Sequence, residues 1–487
     1  MTDGATRKPK RLLISADHGL AIVYFLQTEV VARLLAQGVE VILLTDDELV
    51  AQVAARFSRP GLTIDGLRLP QAEAFQRTNR PGLQWWLHFL RRVGGSNRIN
   101  TQAMDSYIEQ VAVEQSNWRR VWMPLAWLLI GLLRRSAWAR GILVQLQQRI
   151  QPEIYQDLLQ HYRPDLVVAS TVGWRMDRYL LRQASQAGIP TASVIVGWDN
   201  PSSYSLPGAS VNFATCWSEI QKEELVLGSD WQPEDVFIGG IPTYDGYLDG
   251  RWALDRQTYF SQHDLAQDRK LLTYACSFVS FAPNWRNVET LVRLVEAEAL
   301  EAPCQLLIRL HPNHFLDVHL FQQERLRIHA LADQSKFVRV VEPVPLGASL
   351  GHYSGEDMEE KASMLVHSDV FLTVYSTMVV EAAAHDRPII ALCLDQPGGW
   401  NWPRKYSLPL TEIGEWPTHS RFRRSGAGKV ATSQAEAIGA INDYLRQPEA
   451  DRAERKAFIQ REITFTDGSA GRRTADNLLA MLAGGGA

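Results

Sequence analysis

Two runs decide the fold: QLLIRLHPNHF, residues Gln305–Phe315, and SDVFLTVYSTMVVEAAAHDRPIIALCLD, residues Ser368–Asp395. Each begins as a short apolar stretch of the kind that forms a strand buried on both faces. Each then breaks into turn-forming residues: Arg309, His311, Pro312 and Asn313 in the first, Tyr375, Ser376 and Thr377 in the second. A helical pattern carrying Glu381 follows the second break at once. Open α/β sheets bind ligands just beyond the carboxyl ends of their strands. Taken as neighbours, these two strand ends predict an anion pocket suited to the phosphates of a nucleotide. Arg309 offers a bidentate fork, His311 an N–H, and Pro312 fixes the turn that also carries Asn313. Ser376 and Thr377 sit where strand becomes helix, and the amides and dipole there favour phosphate. Glu381, a helical turn further on, suits the hydroxyls of a ribose.

Outward from these runs the same alternation recurs. KLLTYACSF (Lys270–Phe278) and FVRVVEPV (Phe337–Val344) are further strands of the second half, separated by helical patterns. The first half opens KRLLISADHGL (Lys10–Leu20), a strand ending in Asp17-His18-Gly19, then a helix with Gly38 as its stop and the strand VEVILLTDD (Val39–Asp47). YRPDLVVAST (Tyr162–Thr171), IPTASVIVGWDN (Ile189–Asn200), FATCWSEI (Phe213–Ile220) and VFIGGIPTYDGY (Val236–Tyr247) continue the series. A chain of 487 residues exceeds one core. The pattern predicts an α/β fold of two Rossmann-like, doubly wound domains facing a cleft, over residues 11–250 and 268–450. Leu248–Asp268 reads as a linker, and residues 451–487 as helices packing back across the domains.

One segment departs from the alternation. Between Gln84 and Ile150 lie six of the fifteen tryptophans, and nine arginines against three acids. Val121–Leu133 is an apolar run bracketed by Arg119-Arg120 and Arg134-Arg135. Thirteen residues make a helix of about 20 Å, short of the roughly 30 Å of a hydrocarbon core. Tryptophan and arginine at both ends suit a helical insertion lying on an anionic bilayer. Residues 118–140 are the expected contact; a core helix or a dimer interface is the alternative.

Composition sets limits. A net charge of −4 argues against a nucleic-acid partner. The four cysteines lie apart, mostly in apolar runs, and read as reduced thiols of a cytoplasmic protein. No zinc spacing, GxGxxG or P-loop is present, so metal-independent chemistry without a bound cofactor is expected. The basic start of the chain has no apolar stretch of secretory type. In the first half, Asp17, Trp198 and Asn200 are candidates for the acceptor side. His18 and Asp199 are candidates for the base that takes a proton from an attacking hydroxyl.

RLHPN and YSTMVVEAAAHDRPII, within a two-domain pattern, resemble the GT-B superfamily of nucleotide-sugar glycosyltransferases. GWDN (Gly197–Asn200), GGIPTYDGY and the closing DGSAGRRTADNLL are similar to segments of bacterial surface-polysaccharide enzymes related to the CDP-glycerol glycerophosphotransferases. The His-Pro and Ser/Thr signatures look like those of CMP-sialic acid and CMP-Kdo transferases. HPN is similar to the UDP-N-acetylglucosamine 2-epimerases, which share the fold. The resemblance covers most of the chain but leaves out Gln84–Ile150. It implies donor contacts at Arg309, His311, Ser376, Thr377 and Glu381, and a UDP-, CDP- or CMP-activated sugar as co-substrate. The expected function is a glycosyltransferase, or related group transferase, acting on a glycan or lipid-linked acceptor in cell-surface synthesis. Its expected place is cytoplasmic, peripheral on the inner face of the plasma membrane. A sugar-nucleotide epimerase and an inactive membrane-associated scaffold are the alternatives.

Overall fold

The computed structural model describes residues 8–96, 98, 121–277, 284–344, 357–394 and 410–484. Residues 118–120 of the expected membrane contact, Phe278, Pro283 and Asp395 lie outside them. The chain divides into two compact units, one grouping Met1–Ile99, Leu125–Thr243 and Ser469–Ala487, the other Asn100–Pro124 and Tyr244–Gly468.

The N-terminal unit is built on seven parallel strands: β1 (Arg11–Ser15), β2 (Glu40–Thr45), β3 (Leu62–Gly66), β4 (Leu166–Ala169), β5 (Thr191–Val194), β6 (Phe213–Cys216) and β7 (Val236–Ile238). Their order is β3-β2-β1-β4-β5-β6-β7. The chain winds outward from β1, then returns to the other side of it, so the topological switch point lies between β1 and β4. Leu12, Leu13 and Ile14 are all fully buried. Adjacent residues of a strand face opposite ways, so both faces of this sheet are covered. On one face Leu13, Val167 and Ala169 pack with Tyr179, Leu180 and Ala184 of the helix Asp177–Gln186.

The C-terminal unit repeats the plan with β8 (Lys270–Ala275), β9 (Cys304–Arg309), β10 (Val338–Val341), β11 (Val370–Thr373), β12 (Ile389–Leu392) and β13 (Lys429–Ala431). The order is β10-β9-β8-β11-β12-β13, again all parallel. This corrects one expectation: β9 and β11 are not neighbours, because β8 runs between them. Outward winding puts β9 beyond β8, and β11 then pairs with the free side of β8. Ala275 is in register with Arg309 on one side and Thr373 on the other, so the three strands end level.

Three local departures have simple causes. The helix after β1 is two helices, Gly19–Leu26 and Glu29–Ala36, because the Thr28 hydroxyl donates to the Tyr24 carbonyl and accepts from the Val30 amide. The stretch read as a linker contains the helix Arg256–Gln262, capped by Asp255 through the Thr258 amide at 3.0 Å. Of the two last helices, Arg452–Ile463 belongs to the C-terminal unit and Ala470–Leu482 to the N-terminal one. There Asp476 receives two bonds from Arg33, at 2.6 and 3.1 Å.

The insertion is largely helical where it is described, with the helices Pro81–Leu90, Met123–Arg135 and Ala137–Gln148. Arg140 pins it to the N-terminal unit, reaching both Asp230 oxygens at 2.6 and 2.7 Å and the Leu133 carbonyl at 2.6 Å. Among the described residues no single helix is long and apolar enough to cross a membrane.

Candidate functional site

Each sheet gathers polar residues at the carboxyl ends of its strands. In the N-terminal unit β1 delivers Asp17 and His18, and β4 delivers Ser170 and Thr171. Asp17 is buried, and Oδ1 accepts from His18 Nδ1 at 2.8 Å and from the Ser170 hydroxyl at 3.0 Å. Oδ2 accepts from Arg175 Nε at 2.8 Å. Burial opposes ionisation of Asp17, but the Arg175 guanidinium and the bonds from His18 and Ser170 outweigh it. The carboxyl is held well below the usual carboxylate range. An ionised carboxylate only accepts, so a His18 proton sits on Nδ1, and when the ring is neutral the lone pair is on Nε2. That is the tautomer of a general base, oriented by a carboxylate that does not itself exchange protons.

Asp177 lies in the same cluster and behaves oppositely. It is fully buried, and the Thr171 hydroxyl donates to it at 2.6 Å. Burial and the nearby negative charge of Asp17 push its carboxyl up, well above the usual range. The two carboxyls of the cluster are thus pushed in opposite directions.

Arg175, Ser170, Thr171 and Asp177 were not singled out from the sequence. The signal was present: VVASTVGWRMD is another strand run ending in a polar turn. Arg175 also lies over the Trp174 ring at 5.4 Å, and Trp174 stacks on Tyr204 at 4.2 Å. Gly173 makes the turn possible. It has φ +78°, and Gly208 passes so close that a Cβ on Gly208 would fall 1.8 Å from the Gly173 carbonyl oxygen.

The WDN cluster is placed differently from expectation. Trp198 is only 2% exposed, so its indole belongs to the core and not to an acceptor surface. Its carbonyl accepts from Gln221 Nε2 at 3.1 Å. Asn200 folds back over Gly197, where a Cβ would meet its amide at 2.5 Å. Asp199 accepts from the Ser203 hydroxyl at 3.0 Å and remains partly exposed.

In the C-terminal unit β9 ends in Arg309 and leads to His311. Arg309 is buried, and its guanidinium is ion-paired with Asp357, which precedes the helix Met358–His367. One arm of the expected fork, Nη2, is thus held inside the unit by Asp357. His311 accepts the Asn313 amide at Nδ1, 3.1 Å away, which puts its own proton on Nε2. Burial, with the neighbouring His314 and Arg309, lowers its pKa to about 3, so the ring is a neutral N–H donor. The turn is braced by the fully buried His314, which accepts the His311 amide at 3.0 Å and contacts Glu324 at 2.9 Å.

Beyond β11 the Ser376 hydroxyl accepts the Met378 amide at 3.1 Å, opening the helix Met378–Ala384. Thr377 occupies the cap position without a side-chain bond. Glu381 is 6% exposed, 2.8 Å from Lys361 Nζ, and accepts from Tyr247 Oη at 2.9 Å.

No curated protein matches the chain significantly. Among solved structures it is similar to the UDP-GlcNAc 2-epimerase of Neisseria meningitidis bound to UDP-GlcNAc, with TM-score 0.53 and 12% identity over 96% of this chain and 99% of that one. It is similar to a putative UDP-N-acetylglucosamine 2-epimerase of Listeria monocytogenes, with TM-score 0.55 and 11% identity over 98% of each. A glycosyltransferase of Rickettsia africae gives TM-score 0.52 and 8% identity over 98% of this chain and 99% of that one. These likenesses concern the fold, two Rossmann-like α/β units. Residues 228–480 match the family model described as CDP-Glycerol:Poly(glycerophosphate) glycerophosphotransferase. That match spans just over half of the 487 residues, and the chain belongs to this glycerophosphotransferase family.

Proposed function

We propose that the protein moves a nucleotide-activated group, a sugar or a polyol phosphate, onto an acceptor hydroxyl during synthesis of a cell-surface glycan. One observation carries the reading. The two strand-end histidines hold opposite tautomers, His18 with a bare Nε2 and His311 with a protonated one. His18 accepts the proton of the acceptor hydroxyl, and its Asp17 carboxylate stabilises the imidazolium that forms. The acceptor oxygen bonds to the activated carbon or phosphorus, and the bond to the nucleotide phosphate breaks with its electron pair. The C-terminal unit receives that phosphate through the His311 Nε2–H, with Asn313, Ser376 and Thr377 around it. Glu381 is proposed to reach the ribose side of the same donor, and Asp199 to flank the acceptor.

The chemistry is metal-independent in this proposal, since protein N–H groups take the charge of the leaving phosphate; chelator should leave the rate unchanged. The acceptor is lipid-linked or grows at the inner face of the plasma membrane, with the protein peripheral on its cytoplasmic side. The fold shared with the UDP-N-acetylglucosamine 2-epimerases named above supports one second reading, epimerisation of the sugar nucleotide. Incubation with CDP- and UDP-activated donors, with and without a lipid-linked acceptor, separates the two. Transfer that requires acceptor is expected. An epimerised nucleotide sugar formed without acceptor would sink the transferase reading.

A further inference from the structure

We propose that the outward face of the helix pair Met123–Arg135 and Ala137–Gln148 docks on an anionic lipid bilayer, lying in its interface without crossing it. This rests on the membrane-side placement just proposed and names the surface and the lipid that achieve it. Both helices are apolar on two sides. Ala126, Ile130 and Leu133 of the first and Ala139 and Leu143 of the second are buried. Leu125, Leu128 and Leu132 project the other way at spacings of three and four, as do Trp138, Ile142 and Leu146 at four and four. Leu128 is 70% exposed and Trp138 76%. Elsewhere among the described residues exposed large apolar side chains are scattered; here they form a stripe along two consecutive helices. A helix apolar all round needs a second apolar environment, and the described residues supply only one.

Charge selects the occupant. From Val121 to Ile150 there are four arginines and no acid. Arg140 is committed to Asp230, while Arg135 and Arg149 are exposed at the helix ends. A second copy of the chain meeting this face about a twofold axis would set arginine against arginine with no acid between Val121 and Ile150 to offset them. An anionic headgroup layer meets the same charges favourably, and tryptophan and arginine are the side chains that settle at its depth. A helix of thirteen residues is about 20 Å long, too short to span roughly 30 Å of hydrocarbon.

The test is flotation of the full chain with vesicles, without nucleotide or acceptor. Binding is expected to vesicles of phosphatidylcholine with about one third phosphatidylglycerol, and to fall at least about tenfold on phosphatidylcholine alone or in high salt. Leu128→Glu with Ile142→Glu changes exposed side chains only, so the melting temperature should hold while vesicle binding falls at least about tenfold. Arg135→Gln with Arg149→Gln should remove the preference for phosphatidylglycerol. Wild-type protein that stays off both vesicle types, or a glutamate variant that floats like wild type, overturns the proposal. So does a dimer that the glutamate variant converts to monomer while vesicles go unbound. Transfer to a soluble acceptor by the non-floating variant keeps the transferase reading separate, and floating without any transfer supports the bilayer surface alone.

Discussion

Asp17 Oδ1 accepts a hydrogen bond from His18 Nδ1 at 2.8 Å, and the two residues are adjacent in sequence at the end of the central strand β1. A strand-end turn thus supplies both a base and the group that orients it. Asp17→Asn replaces an obligate acceptor by an amide that can present an N–H to Nδ1. The imidazole then turns over to its other tautomer. We expect kcat to fall by up to about 10⁴-fold, the loss seen when such an orienting carboxylate becomes an amide. Nucleotide affinity should stay unchanged, measured by calorimetry beside steady-state kinetics.

His311 makes the opposite prediction about pH. Its neutral N–H donor persists down to about pH 3, so protonation of this ring should not alter nucleotide affinity between pH 5.5 and 8. His311→Ala should weaken nucleotide binding by roughly 10–100-fold, the loss of one charge-assisted hydrogen bond. The stability consequence has a definite sign. The folded-state pKa lies below the ordinary 6.5, so the unfolded chain takes up the proton first as pH falls. The contribution is complete above pH 6.5 and is lost progressively as pH falls towards 3. Thermal melts of wild type and His311→Gln should therefore differ more at pH 7 than at pH 4.

Gly208→Ala should act on catalysis from a distance. Its new methyl would collide with the Gly173 carbonyl, 1.8 Å away, and backbone cannot step aside cheaply. The displaced turn carries Arg175, which charges Asp17. We expect a loss of about 1–3 kcal/mol in urea unfolding, typical of overpacking. The rate at saturating donor should fall with it.

Strands that pack on both faces were legible as apolar runs, and so was the doubly wound plan. Two of the four edge strands were not. β3 reads LTIDG and has no fully buried residue, and β13 is only KVA. Lacking a second neighbour, neither needs a continuous apolar run. The order β9-β8-β11 was also invisible, since two similar strand ends look adjacent until winding inserts a third. At the site, Asp17, His18, His311 and Ser376 announced themselves as polar breaks after apolar runs. Trp198 did too, yet it is core, because a break in polarity does not reveal which way a side chain turns. Arg175 lies beyond the strand run Tyr162–Thr171, in a stretch without an apolar pattern to draw attention to it. The histidine tautomers depend on partners that spacing cannot assign.

Lys361 and Glu381 form a buried pair with Tyr247 donating to the same carboxylate. Lys361→Met leaves a buried charge without its counter-ion and should cost about 3–5 kcal/mol. The double variant Lys361→Met with Glu381→Gln should recover part of that loss, so the cycle yields a clear coupling energy. If Glu381 also contacts the donor, Glu381→Gln lowers nucleotide affinity while Lys361→Met, at a temperature where it stays folded, does so less.

The helix Ala470–Leu482, tied to the first part of the chain by Arg33 and Asp476, bears on how the protein is made. On the ribosome, β1 to β7 emerge early and can pair, but the helix that covers part of their unit arrives only after the whole C-terminal unit has been translated. During that interval the nascent N-terminal unit shows apolar surface that Leu478 and Met481 will later cover. It is the period in which the chain most needs a chaperone. A stop codon placed before residue 470 should yield a protein that aggregates, although every strand of both sheets is present.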